Sequence, residues 1–348
     1  MGAKALNKEW ISIHIFYYGD LNSLLVSCVQ PLIESLREQS LIERYFFIRY
    51  WQEGLHIRLR LLPMDFADHD KIKYLAEQAI SQFLIQRPAL YKPNPQIYAP
   101  FQRYLFIAEY GREKLIETYG EHGSIPLRPN NSFAYIPYEP EYDRYGGVAG
   151  VDLAEWHFEY SSAMVLKLLT RINMTVPTIA LGISFQLMQY YFFELFDTEE
   201  EIIQAIETYM KYWEKGRFAK NTKNVIDQSY KTRYEHMQTT LRHRVSQIRD
   251  YMLDSKLRQK ATDVELEWSD HLHTFREKIN AFIINNEQFD TISDRNIDLT
   301  HLRHKLLISY AHMTNNRIGT SIKQERYLAY LLFQALKDMR QPSTELMG

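Results

Sequence analysis

Cysteine is all but absent: Cys28 is the only one in 348 residues. That excludes an intrachain disulfide and any zinc site built on several thiolates, and it suits a reducing compartment. Charge of one sign is not in excess either. The 41 basic and 43 acidic residues leave a formal net charge of −2, far from the basic surplus that holds a protein on a phosphate backbone. No direct nucleic-acid partner is expected. Long apolar runs are missing as well. The most apolar helix-length stretch, VPTIALGISFQLMQYYFFELF at 176–196, is broken by Thr, Gly, Ser and two Gln, so it reads as a buried helix rather than a membrane span. The N-terminal MGAKALNKEWISIHIF lacks the apolar core and cleavage site of a signal peptide. Its Met1-Gly2 start carries Leu6 where a myristoylation signal has Ser or Thr. A cytoplasmic protein is expected. Familiar catalytic signatures (GxGxxG after a strand, a Walker loop, GxSxG, HExxH) do not occur. His301 and His304 are spaced to share a metal but have no further carboxylate or thiolate in the pattern, and His271 and His273 point to opposite sides of a helix. Neither a metal nor a cofactor is implied.

Aromatics, in contrast, are plentiful, with 25 Tyr and 18 Phe; they fill a core or line a groove for a peptide or small molecule. Residues 10–17 alternate as a half-buried strand. A helix is expected over 21–38, capped by Asp20 and kinked at Pro31. Strands at 43–50 and 55–62 pair around Gly54, and a second helix covers 70–83. The stretch 88–150 holds most of the prolines and reads as loop-rich, with short strands near 98–107 and 133–138. From 152 onward the pattern is helical: 152–171, 176–196, 199–213, 222–253, 263–285, 298–314 and 321–338. Thr198 to Glu201 forms a capping box. The charged run 214–262 reads as a solvated helical face. The fold class is α+β: an antiparallel sheet built largely from the N-terminal half, packed with a mostly helical C-terminal half. The whole chain, 1–348, is taken as one domain, with a sheet-rich region over 1–150, a helical region over 151–340 and a tail over 341–348.

Three stretches carry chemistry. In RYWQEGLHIRLRLL (49–62) Leu55, Ile57, Leu59 and Leu61 share one parity, and His56, Arg58 and Arg60 share the other. On a strand this gives one aliphatic face and one with three potential cations in a row. Such cations repel unless an anion, carboxylates or open water lie opposite; alone, the stretch fits a solvated edge strand. YEPEYDRYGG (138–147) sets Glu141 and Arg144 in a turn rich in Pro and Gly. SYAHMTNNRIG (309–319) puts Ser309, His312 and Asn316 on one helical face, next to Arg317. That face packs poorly and suits hydrogen bonding.

Together with EWISIHIFY, FFIRYWQEGLHIRLRL and AEWHFEYSSAMVLKLL, these stretches resemble the C-terminal, glutamate-eliminating domain of class I lanthipeptide dehydratases, also described as the thiopeptide-type bacteriocin biosynthesis domain. The resemblance runs over nearly the whole chain, in the family's order; the region 214–290 carries no matching motif. It implies a stand-alone or split version of that domain, without the larger domain that glutamylates Ser and Thr from glutamyl-tRNA. It further implies that Arg58, Arg60, Arg144 and His312 are elimination residues gathered in one pocket, with Glu141 as the acidic member. His56, Asn316 and Arg317 then bind substrate. The implied reaction removes glutamate from glutamylated Ser or Thr of a precursor peptide, leaving dehydroalanine or dehydrobutyrine, with no cofactor. Arginine suits the carboxylates of glutamate. His312 suits the proton, as base, as acid, or as both in turn. Glu141 orients an arginine or acts as base. The implied partners are a leader-bearing precursor peptide and a separate glutamylating subunit. Two rivals stand beside this reading. One is a pyridine synthase joining two dehydroalanines in a formal aza-[4+2] cycloaddition with leader release. The other is a non-catalytic leader-peptide-binding module. The full arginine, glutamate and histidine set favours elimination.

Overall fold

The structure, a computed structural model, describes residues 9–91, 94–212, 220–285 and 299–340; the expected tail at 341–348 lies outside them. Contacts divide the chain into two compact units. One holds Met1–Tyr142 with Glu155–Met174, the other Asp143–Ala154 with Thr175–Gly348.

The first unit is built on a four-stranded antiparallel sheet: β1 Ile11–Phe16, β2 Ile42–Tyr50, β3 His56–Pro63 and β4 Ser132–Tyr135, in the order β2-β3-β1-β4. Between β1 and β2 the chain forms α1 (Leu21–Leu24), a π turn over Leu25–Val29 and α2 (Gln30–Glu38). Asp20 caps α1 through the backbone N–H groups of Asn22 and Ser23, as its short carboxylate predicts. Pro31 sits at the start of α2, directly after the π turn. Proline removes one N–H and crowds the carbonyl four residues back, and the widened turn takes up that conflict. The helix α3 is His69–Gln86.

Strand alternation sorts the sheet into two faces. Ile13, Ile15, Phe47, Ile57, Leu59 and Leu61 are completely buried on one. That face meets the first three helices: Arg49 reaches Asn22 at 2.6 Å, Arg37 lies over the Tyr45 ring at 4.8 Å, and the Tyr135 hydroxyl donates to Glu77 at 3.0 Å. The other face carries Ser12 and His14 of β1, Phe46 and Tyr50 of β2, and His56, Arg58 and Arg60 of β3.

Three expectations need correction here. β3 is an interior strand, not a solvated edge, and β1 is buried along its whole length rather than half-buried. A single strand's alternation reveals its faces but not how many neighbours it has. The stretch 98–107 is no strand: it belongs to α4 (Pro95–Tyr110), followed by α5 (Arg112–Tyr119). Asn94 caps α4 and Pro95 opens it, while Gly111 and Gly120 close the two helices at φ 88° and 78°. The prolines and glycines there punctuate helices instead of marking loops. Phe106, Leu115 and Ile125 form a small core under these helices, against Trp51 and Tyr119.

The turn Tyr142–Tyr145 (α6) leads through Gly146 and Gly147, at φ 82° and 85°, into α7, Gly147–Arg171, whose residues from Glu155 onward belong to the first unit. The second unit is otherwise made of α8 Pro177–Leu195, α9 Glu199–Tyr212, α10 Lys220–Leu253, α11 Ser255–Arg258, α12 Asp263–Asn285, α13 Leu299–Ile318 and α14 Ile322–Arg340. The capping box stands: the backbone N–H of Thr198 donates to Glu201, and that of Glu201 to the Thr198 hydroxyl. Trp268 of α12 is fully buried and donates to the Leu187 carbonyl of α8 at 3.2 Å. Tyr234 of α10 bonds Asp338 of α14 at 2.6 Å. Sheet and helices make the α+β class expected, and among the described residues no helix is long and apolar enough to cross a membrane.

Candidate functional site

The polar sheet face of the first unit is held by cross-strand register. Ser12 faces Arg60, His14 faces Arg58, and Phe16 faces His56; on the other side Phe46 faces Arg60 and Tyr50 faces His56. His56 is buried, and its Nδ1–H donates to the Gly54 carbonyl at 2.8 Å. A carbonyl can only accept, so Nε2 keeps its lone pair and takes the Arg58 Nε–H at 3.3 Å. The Arg58 guanidinium lies over the Tyr50 ring, 3.5 Å from its centroid. The Tyr50 hydroxyl in turn bonds Glu109 at 3.1 Å, as well as Tyr110. Arg60 is 3% exposed; its Nη2 donates to His14 Nε2 at 3.3 Å and its guanidinium lies 5.3 Å from the Tyr138 ring centre. Its Nε and Nη1 have no hydrogen-bond partner among the described residues, and neither Arg58 nor Arg60 has a carboxylate within ion-pair distance there.

The electrostatics revise one expectation. His56 is not a third cation: burial, then Arg58, pushes its pKa down to about 3, against a weaker opposite pull from the Gly54 hydrogen bond. His14 is pushed down further, by burial and then by Arg60 and Arg58. Both imidazoles are neutral at pH 7. The face holds two guanidiniums and two neutral acceptors. His14 went unnoticed in the sequence because one histidine in an alternating strand says nothing until its partner strand is known.

In the second unit two of the sequence motifs meet. Arg144 Nε donates to the Ser309 hydroxyl at 2.7 Å, and Ser309 donates to the Tyr145 hydroxyl at 3.1 Å. Ser309 lies one turn before His312 on α13. His312 Nδ1 faces both carboxylate oxygens of Glu325, at 3.0 and 3.2 Å, so Nδ1 carries a proton and donates it to the carboxylate. Glu325, at the start of α14, is fully buried and also accepts from the Tyr209 hydroxyl. Sequence reasoning passed over Glu325, because an acidic residue in a first turn marks only a helix start and its partner His312 lies on the preceding helix. Asn316 is half-buried on α13. Arg317 is completely buried and donates to the Met313 carbonyl at 2.6 Å. Glu141 is exposed, just ahead of α6.

His56, Arg58 and Arg60 are thus brought together in the first unit, which also holds Glu141; Arg144, His312, Asn316 and Arg317 belong to the second. Among the described residues no group of three histidine, cysteine or acidic side chains could hold a metal. His304 is buried beside Phe196, while the side chain of His301 lies outside the described residues.

The family model for the C-terminal region of lantibiotic biosynthesis dehydratases matches residues 10–336, and the chain belongs to that family. Among curated proteins none matches the sequence. Solved structures that share its fold include the following three. TbtD, the pyridine synthase from thiomuracin biosynthesis, superposes with a TM-score of 0.72 at 17% identity, over 95% of this chain and 98% of TbtD. TsrL gives 0.63 at 16% identity, over 95% of each chain. MibB, a tRNA-dependent lantibiotic dehydratase from Microbispora sp. 107891, gives 0.56 at 18% identity, over 97% of this chain and 29% of MibB.

Proposed function

We propose that the protein is a lyase, one elimination-type domain that removes glutamate from glutamylated Ser or Thr of a precursor peptide. The observation that supports this best is the Arg58–Arg60 face. A buried guanidinium with two of its nitrogens unmatched is costly, and a carboxylate ligand is what makes such a group worth keeping. In the proposed step a base takes the Cα proton, the electron pair forms the Cα=Cβ bond, and the Cβ–O bond breaks. Glutamate then leaves through its γ-carboxylate. Arg58 and Arg60 grip the carboxylates of the glutamyl group, and Arg144 stabilises the negative charge that develops on the peptide carbonyl. His312 moves the proton through Nε2, while Glu325 fixes the tautomer and stabilises the imidazolium formed. Glu141 orients an arginine or acts as base; His56, Asn316 and Arg317 help to place the substrate. The proposal includes a cytoplasmic setting, a leader-bearing precursor peptide and a separate glutamylating subunit as partners. The step requires no ATP, tRNA or cofactor, because the ester already stores the energy.

A second reading, pyridine synthesis by cycloaddition of two dehydroalanines, draws on the near full-length fold likeness to TbtD. That reaction expels no carboxylate and gives the two guanidiniums no work. The test is mass spectrometry of the purified protein with glutamylated peptide, and separately with a dehydroalanine-rich peptide. Release of glutamate with dehydration supports elimination; an untouched glutamylated peptide together with cyclisation of the other overturns it for pyridine synthesis. Binding of a leader without either reaction would leave the docking module.

A further inference from the structure

We propose that His14 is a positioning residue for the carboxylate clamp: its imidazole aims the Arg60 guanidinium by accepting one N–H without cancelling its charge. The inference rests on the elimination reading. Register places His14 directly across from Arg58 and one pleat from Arg60 and His56 on the same face. Its Nε2 accepts from Arg60 Nη2 at 3.3 Å. Its ring stacks on His56 with centroids 5.0 Å apart and planes at 22°, and His56 accepts from Arg58. Two stacked rings therefore each take one donor from one arginine.

The chemistry explains why a histidine stands there. The usual orienting partner of a buried arginine is a carboxylate, which fixes the fork but neutralises it and competes with an incoming carboxylate. A neutral imidazole fixes the direction and leaves the full positive charge for the ligand. The groups bearing on His14 are Arg58, Arg60, His56 and Arg128, and none is acidic. Burial among these charges keeps the ring from becoming a rival cation. The Nε and Nη1 of Arg60 are left without a hydrogen-bond partner among the described residues.

Two variants of the full chain separate aiming from packing. His14→Phe keeps a ring to stack on His56 but offers no acceptor; His14→Gln offers an acceptor without the ring. Free glutamate binding by calorimetry, and KM and kcat on glutamylated peptide, are the readouts, with the melting temperature as control. We expect His14→Phe to weaken glutamate binding and raise KM by about 10- to 100-fold, the worth of one hydrogen bond to a charged group, while His14→Gln stays within about threefold of wild type. The reverse order, or two variants equal to wild type, overturns the inference. Should His14→Phe fail to fold, imidazole ¹⁵N spectra of the wild type decide: a neutral ring protonated at Nδ1 supports the inference, and a cation or the Nε2–H tautomer refutes it. Wild-type protein that binds glutamate but does not eliminate it refutes the elimination reading alone, and the variants' glutamate affinities then judge His14. Wild-type protein that does neither refutes both.

Discussion

Replacing Arg60 by Met should stabilise the protein while abolishing its activity. Arg60 is 3% exposed and has no carboxylate partner among the described residues. Burial, and then Arg58, draws its pKa from 12.5 down to about 9, which corresponds to roughly 5 kcal/mol against the charged form. Below pH 9 the folded and unfolded states both carry the proton, so this penalty is undiminished at neutral pH; it is relieved only as pH rises from about 9 toward 12.5. Methionine fills a similar volume without the charge. Against the gain stand two losses: His14 Nε2 is left without its donor, at roughly 1 to 1.5 kcal/mol, and the cation–π contact with Tyr138 goes, at about 1 kcal/mol. The net is a stabilisation of about 1 to 3 kcal/mol. Urea unfolding at pH 7 measures it, and glutamate should raise the melting temperature of wild type but not of the variant. A loss of stability would refute the reasoning. Arg60 would then be a structural strut whose contacts outweigh its desolvation.

Arg60→Lys keeps the charge but loses the planar fork, so we expect kcat/KM to fall by about 10- to 100-fold; parity with wild type would show that only charge matters. Glu325→Gln should lower kcat by about 10² to 10⁴ with little change in KM, because His312 loses the partner that sets its tautomer. A pure KM effect would remove Glu325 from the proton step. Folding stability should fall as pH drops from about 6.5, because His56 and His271 are buried neutral with pKa values near 3 and the unfolded chain takes up protons that the folded one refuses. Each contributes up to about 1.4 kcal/mol per pH unit, so His271→Phe should visibly flatten the curve of urea midpoint against pH; an unchanged slope would mean that His271 is not buried neutral.

Most of this architecture could be read from residue patterns, and the failures have physical causes. Alternation located β1, β2 and β3 to within a residue or two, and helical spacing with the Thr198 capping box located α9. Both signals are local. Whether HIRLR lies at an edge or inside the sheet depends on which strands pair beside it, so its burial was illegible from the stretch alone. The helix α4 was missed because Pro95 and Pro100 suggest a loop until Asn94 and Gly111 are recognised as its two caps. The arginines and His312 carried a signal through residue type and spacing. His14 and Glu325 did not, because their roles come from neighbours 46 and 13 residues away in the chain.

The alternation of β3 has a further consequence. Leu59 and Leu61 enter the apolar core on the parity opposite to Arg58 and Arg60, so one register sets both the core and the proposed clamp. Deleting a single residue between Gly54 and Arg58 would turn the guanidiniums toward the helices and the leucines toward the polar face. Deleting two would restore the faces but slide each arginine past its histidine by a full pleat. Ordinary side-chain substitutions can wear away the core or the clamp one at a time. A frame change within this strand cannot, and a scan of short deletions would find no variant that keeps the clamp while losing the core.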